Sequence, residues 1–115
     1  LGNIKACAHI TGGGLIDNLP RVIPESLTCV IYGQSIKPNK VFHWLKGIGN
    51  IESNEMLKTF NCGIGMCIIV QASKANQVLK NFIKHGEKAS IIGKLENKTD
   101  NRDLIIVDEN KIWVS

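Results

Sequence analysis

At 115 residues the chain can bury one hydrophobic core and is read as a single domain. Its 43% hydrophobic and 21% charged residues are the balance of a soluble globular chain. No apolar run nears the roughly 20 residues of a bilayer span, and no basic-then-apolar leader opens the sequence. The formal net charge of +4 comes mostly from lysines scattered between Lys5 and Lys111, with Arg21 and Arg102 far apart. That distribution argues against a nucleic-acid interface, which needs a basic stripe interleaved with aromatic residues.

Lys5 to Ile10 is small and largely apolar, and reads as a strand leading into the glycines at Gly12, Gly13 and Gly14. Asp17 or Asn18 is placed to cap a short helical turn beginning at Leu19-Pro20, which Pro24 closes. Leu27 to Ile31 is a β-branched run ended by Gly33 and reads as a strand. Pro38 then opens a helix in which Val41, Trp44, Leu45 and Ile48 recur at i, i+3, i+4 and i+7, with Gly47 and Gly49 at its end. Ser53 is positioned to cap a second helix carrying Met56, Leu57 and Phe60, with Glu52 and Glu55 at its positive end. Helical spacing assigns these Trp, Met and Phe side chains to the core rather than to a ligand.

Ile64 to Val70 is almost wholly apolar, as a strand central in its sheet would be. Ser73 is placed to cap a helix with the stripe Ala75, Val78, Leu79, Phe82 and Ile83, stopped by Gly86. Ala89 to Leu95, Leu104 to Val107 and Ile112 to Val114 read as strands, with Glu96 to Asp103 a loop and Asp108 to Asn110 a turn. This order gives an α+β fold, a mixed sheet with helices packed on it. The four cysteines Cys7, Cys29, Cys62 and Cys67 fit no disulfide framework or zinc spacing and read as small thiols kept reduced in a cytoplasm. His43 and His85, without companions, read as surface residues or as cations suited to a helix C-terminus.

The chemistry concentrates in Ala8 to Arg21. Three consecutive glycines present backbone N–H groups with no Cβ in the way and permit the φ > 0 conformations that fold a chain into an anion-holding concavity. His9, Thr11, Asn18 and Arg21 bracket them, adding an imidazole, a hydroxyl, an amide and a guanidinium. A triple glycine alone is an ordinary strand-to-helix turn. The ordered pattern His9-x-Thr11-Gly12-Gly13-Gly14, then Asn18-x-Pro20-Arg21 and Pro24, resembles the signature of the aminoimidazole ribonucleotide synthetase family, the phosphoribosylformylglycinamidine cyclo-ligases. A second block, Glu55-Met56 followed by Phe60-Asn61-Cys62-Gly63-Ile64-Gly65-Met66, resembles that family's second C-terminal signature at the expected place.

The resemblance implies that residues 1–115 form the C-terminal domain of a longer enzyme, with a ferredoxin-like flavour to its sheet, and that the N-terminal ATP-binding half is absent. The implied reaction is ATP-dependent closure of the imidazole ring in de novo purine biosynthesis. ATP activates the formyl oxygen of formylglycinamidine ribonucleotide, a substrate nitrogen attacks, and phosphate leaves. Thr11, Gly12, Gly13, Gly14, Asn18 and Arg21 are the candidates for holding a substrate or transferred phosphate. His9 is the candidate catalytic residue, with the pKa range for proton transfer, although a structural histidine bonded to backbone is the alternative.

Two roles fit Arg21: a bidentate partner of phosphate, or a tie to a neighbouring carboxylate. Asn18 can cap the turn as well as bind a ligand. Asp17, awkward beside a phosphate, is expected to point away or to hold Mg²⁺-bound water. The block from Asn61 to Met66 reads as packing around the strand entry. No paired carboxylates accompany the loop to hold Mg²⁺, and the resemblance implies that ATP and Mg²⁺, the cofactors of the full enzyme, bind mainly in the N-terminal half; none is expected in this chain. No metal site is assigned. The expected partners are the ribonucleotide substrate, the enzyme's own N-terminal domain and a second copy in a full-length homodimer. Neither nucleic acid nor membrane is expected, and the location is cytoplasmic. Two alternatives stand beside this. One is a related ATP-binding enzyme, namely formylglycinamidine synthetase, selenophosphate synthetase or thiamine-phosphate kinase. The other is a phosphate-binding module without catalysis.

Overall fold

The structure, a computed structural model, describes residues 4–114. In chain order it runs β1 (Ile4–His9), α1 (Gly14–Asn18), β2 (Leu27–Tyr32), α2 (Lys40–Gly49), α3 (Ser53–Thr59), β3 (Met66–Val70), α4 (Ala75–Lys84), β4 (Gly93–Asn97) and β5 (Leu104–Val107), with short 3₁₀ turns between several of these and a last one at Glu109–Trp113. Strands and helices mix in an α+β arrangement.

β2 is the centre of a mixed three-stranded sheet. It pairs antiparallel with β4, placing Cys29 opposite Leu95, and parallel with β5, placing Ile31 opposite Ile106. Its β-branched run is buried from Thr28 to Ile31, as a strand covered on both faces must be. One consequence is a cost: the Thr28 hydroxyl is buried with no hydrogen-bond partner among the described residues. The second sheet is the antiparallel pair β1–β3, in which Ala8 faces Cys67 and His9 faces Met66. β3 is therefore one of only two strands, not central as its apolar run suggested, and Met66 is exposed. Apolarity alone does not distinguish a strand buried by a sheet from one buried by other elements.

One core joins both sheets. Ala8, Ile10 and Cys67 from the β1–β3 side meet Cys29 and Ile31 of β2, Leu15 and Leu19 around α1, and the fully buried Met56 and Leu57 of α3. Side chains of this size each contribute about 1.5–3 kcal/mol on full burial. Met56 and Leu57 are core, as their spacing indicated. The stripe on α2 is not: Val41, Trp44 and Ile48 are exposed, while Phe42 and Leu45 sit half-buried. The stripe on α4 is also incompletely covered, with Val78, Leu79 and Phe82 half-buried and Ile83 exposed.

Other boundaries moved for local reasons. Neither Ser53 nor Ser73 caps a helix: Glu52 precedes α3, Lys74 precedes α4, and neither helix start has a side-chain cap. The Ser53 hydroxyl instead accepts a hydrogen bond from Trp113 Nε1 at 2.7 Å. Gly47 and Gly49 lie inside α2, which ends where Asn50 turns left-handed at φ 50°. The strand expected over Ala89 to Leu95 begins only at Gly93, and residues 112–114 do not form a strand. The 3₁₀ turn there drives Ile112 into the core. All four cysteines are free; Cys7 is exposed, and Cys29, Cys62 and Cys67 are buried.

Candidate functional site

β1 delivers the glycine loop. Ile10 is buried in the core, so its neighbours His9 and Thr11 are left exposed at the end of the strand. The chain then turns sharply: the Gly14 N–H donates to the Thr11 carbonyl at 2.9 Å. Gly13 and Gly14 both have positive φ, 98° and 61°, a conformation that other residues reach only with strain. Gly14 is further constrained by space, because a Cβ there would overlap the Leu57 carbonyl and come within 2.7 Å of the Phe60 carbonyl oxygen.

α1 begins directly at Gly14 with Gly13 at its cap position, ahead of the expected helical turn; that turn forms at Pro20–Val22 as a 3₁₀ turn, with Leu19 rather than Asp17 or Asn18 at its cap position. Asn18 therefore lies at the helix's far end, buried, with its side chain turned back under the loop. Its Nδ2 donates to the carbonyls of Gly14 at 2.8 Å, Thr11 at 3.2 Å and Gly12 at 3.3 Å. Its Oδ1 accepts from the Thr11 hydroxyl and from the Arg21 guanidinium, both at 3.4 Å. One amide thus ties three loop carbonyls to two of the polar side chains that bracket the glycines. With the carbonyls engaged from beneath, the Gly12 and Gly13 N–H groups have no hydrogen-bond partner among the described residues.

Arg21 is exposed and has no carboxylate partner among the described residues, so the tie to a carboxylate is not formed. Asp17 does not point away from the loop. Its Cβ and Oδ2 lie 2.7 Å from where a Gly13 side chain would be, which puts a negative charge beside the free amides. The His9 imidazole carries no hydrogen bond among the described residues. His85 closes α4, its Nδ1 lying 2.7 Å from the Asn81 carbonyl oxygen. His43 meets the Trp113 ring edge-on with centroids 5.5 Å apart, and so belongs to packing rather than to open surface.

The second block lies against the first. Ile10 N–H donates to the Gly65 carbonyl at 2.9 Å, His9 stands opposite Met66, and the α3 end at Leu57 and Phe60 receives Gly14. Within the block, Asn61 Oδ1 accepts the Gly63 N–H at 2.9 Å, and the Cys62 thiol donates to the Met56 carbonyl at 3.5 Å. Asn61 to Met66 thus packs at the strand entry, where it brings Gly65 and Met66 alongside Ile10 and His9. The signal in the sequence was the pair of glycines preceding a strand, which permits close backbone approach.

Burial pushes the Cys29, Cys62 and Cys67 thiols up to about 11, so none is set up as a nucleophile. Among the described residues no three His, Cys, Asp or Glu side chains converge, and Asp17 stands alone at the loop. Mg²⁺ needs several hard oxygen ligands, so these residues do not fit a Mg²⁺ centre by themselves. The loop amides and Arg21 offer donors to a phosphate oxygen, opposed by the Asp17 carboxylate beside Gly13, on a face left open to solvent at His9, Thr11 and Gly12.

The chain is 51% identical over 94 residues to the trifunctional purine biosynthetic protein adenosine-3 of Gallus gallus. The match covers 82% of this chain but 9% of that protein, so the chain spans under a tenth of the relative's length. Residues 1–105 match the family described as AIR synthase related protein, C-terminal domain, and with both signature blocks folded into one site, the chain belongs to that family.

Proposed function

We propose that this domain supplies the substrate side of an ATP-dependent cyclo-ligase that closes the imidazole ring of formylglycinamidine ribonucleotide. The observation that carries this reading is the Asn18 clasp, which engages three loop carbonyls while the Gly12 and Gly13 amides remain free beside Arg21. Those donors suit a phosphate of the ribonucleotide or of the activated intermediate. His9, exposed at the loop's entrance, is placed to exchange a proton with the substrate. ATP and Mg²⁺ belong to a second wall supplied by the N-terminal half of a longer, homodimeric enzyme, since these residues alone do not fit the metal. A cytosolic location agrees with such a role, and no helix among the described residues is long and apolar enough to cross a membrane.

Titration of the chain with ribose 5-phosphate and, separately, with ATP tests this reading by amide NMR. Weak, saturable shifts at Thr11, Gly12 and Gly13 with ribose 5-phosphate, diminished in Arg21→Ala, are expected. ATP should give no tight complex. Shifts confined to other regions, or tight ATP binding with hydrolysis, would overturn the division of labour.

A further inference from the structure

The least explained surface lies on α2 and the groove beside it. Val41, Trp44 and Ile48 are 52%, 60% and 64% exposed, at i, i+3 and i+7 on one helical face. Together they form an apolar strip about 10 Å long at 1.5 Å per residue. Solvent exposure of three large side chains in a row is unfavourable unless something covers them.

Lys40 is four residues before Trp44 and shares its flank of the helix. From there the surface falls into a groove of about 580 Å³ lined by Lys37, Lys40, His43, Lys111 and Trp113 and by no carboxylate. Lys37 and Lys40 have no ion-pair partner among the described residues, and Lys111 reaches only Asp108 at 3.8 Å. The groove wall is firm: Trp113 donates to Ser53, meets the His43 ring edge-on, and carries the Lys46 ammonium 5.6 Å from its centroid. Gly47, one turn beyond Trp44 and His43, has open space where a side chain would stand.

We propose that the α2 strip and this basic groove form one docking surface for an acidic amphipathic protein segment. Its apolar side chains would cover Val41, Trp44 and Ile48, and its carboxylates would lie along Lys37, Lys40 and Lys111. This is the helix-in-groove mode, with charge fixing orientation. A simple polyanion would satisfy the lysines and leave the apolar strip wet. A second copy of the chain fits poorly, because a two-fold contact would set the same lysines against each other. None of the residues involved belongs to the glycine loop, so the surface is independent of the proposed catalytic role.

Two helical peptides of about 18 residues test the proposal, sharing one leucine stripe but flanked by Glu in one and Lys in the other. Trp fluorescence and amide NMR of the 115-residue chain would follow their binding. The expected result is saturable binding of the Glu peptide, at least about tenfold tighter than the Lys peptide, with shifts at residues 37–48 and 111–113. Trp44→Ser and the pair Lys37→Glu with Lys40→Glu should each weaken it by about tenfold or more. These side chains are exposed, and unchanged β2 amide shifts would confirm that the variants are folded. Equal affinity for both peptides, no saturable binding, or shifts elsewhere would overturn the proposal. So would self-association abolished by Trp44→Ser, which would assign the face to a second copy.

Discussion

Asn18 Nδ2 donates to the Gly14 carbonyl at 2.8 Å, a bond made from the last residue of α1 back to its first. This geometry makes Asn18 a positioning residue for the loop, whatever the loop holds. Asn18→Ala removes every contact to Thr11, Gly12 and Gly14 and should cost about 1–3 kcal/mol in chemical denaturation. Asn18→Asp should not rescue it, because a carboxylate cannot donate to carbonyls. An unchanged denaturation midpoint in both variants would rule out the clasp.

The glycines of the loop are unequal. Gly14→Ala forces a Cβ into the Leu57 and Phe60 carbonyls at φ 61° and should destabilise by about 3 kcal/mol or more. Gly12 has nothing within 4 Å of its missing Cβ, and Gly12→Ala should change stability by less than about 0.5 kcal/mol. Thermal melts of the two variants check the contrast, and similar losses in both would contradict it.

Trp113 and Ser53 are sixty positions apart and bonded at 2.7 Å. Ser53→Ala and Trp113→Phe should each cost about 1 kcal/mol from this bond, with the double variant short of additive. Strict additivity in a double-mutant cycle would show that the bond contributes nothing.

The buried thiols make stability fall in alkali. Cys29, Cys62 and Cys67 have folded values raised by burial to about 11, from an ordinary 9.0. The folded state therefore holds more protons than the unfolded state between those values, and stability present below pH 9 is lost as pH rises toward 11. The gap between denaturation midpoints at pH 8 and 10.5 should narrow when Cys29 and Cys67 are replaced by Ala, with Cys62 keeping the remainder, once the general alkaline loss is subtracted. At pH 8 in the folded protein a thiol reagent should modify Cys7 first, as it is the exposed cysteine. Simultaneous labelling of all four would contradict the burial.

What was legible in the sequence follows from where the physics is local. Gly12 to Gly14 read as a sharp turn because glycine reaches positive φ with the least strain, as Gly13 and Gly14 do, and Leu27 to Ile31 read as a strand because its β-branched run has no competing period. The short helix α1 itself was hidden because its cap position is a left-handed glycine and not a hydrogen-bonding side chain. The capping preference placed Asn18 at the start of the 3₁₀ turn that follows, whereas it is the last residue of α1 and Leu19 holds that cap position. Trp44 shows the other limit: helical spacing identifies an apolar face without saying whether anything covers it. That His9 and Met66 stand opposite each other, joining the two signature blocks, is a product of strand pairing across more than fifty residues and has no local sign.

The most direct test of the proposed function is steady-state ring closure by the longer protein carrying His9→Ala. His9 is exposed and its imidazole makes no hydrogen bond among the described residues, so the substitution should leave folding intact. The expected result is a fall in kcat/KM of about a hundredfold or more, the scale of a lost proton-transfer group. A kcat/KM within about twofold of the unaltered enzyme would contradict the assignment of His9 to the chemistry.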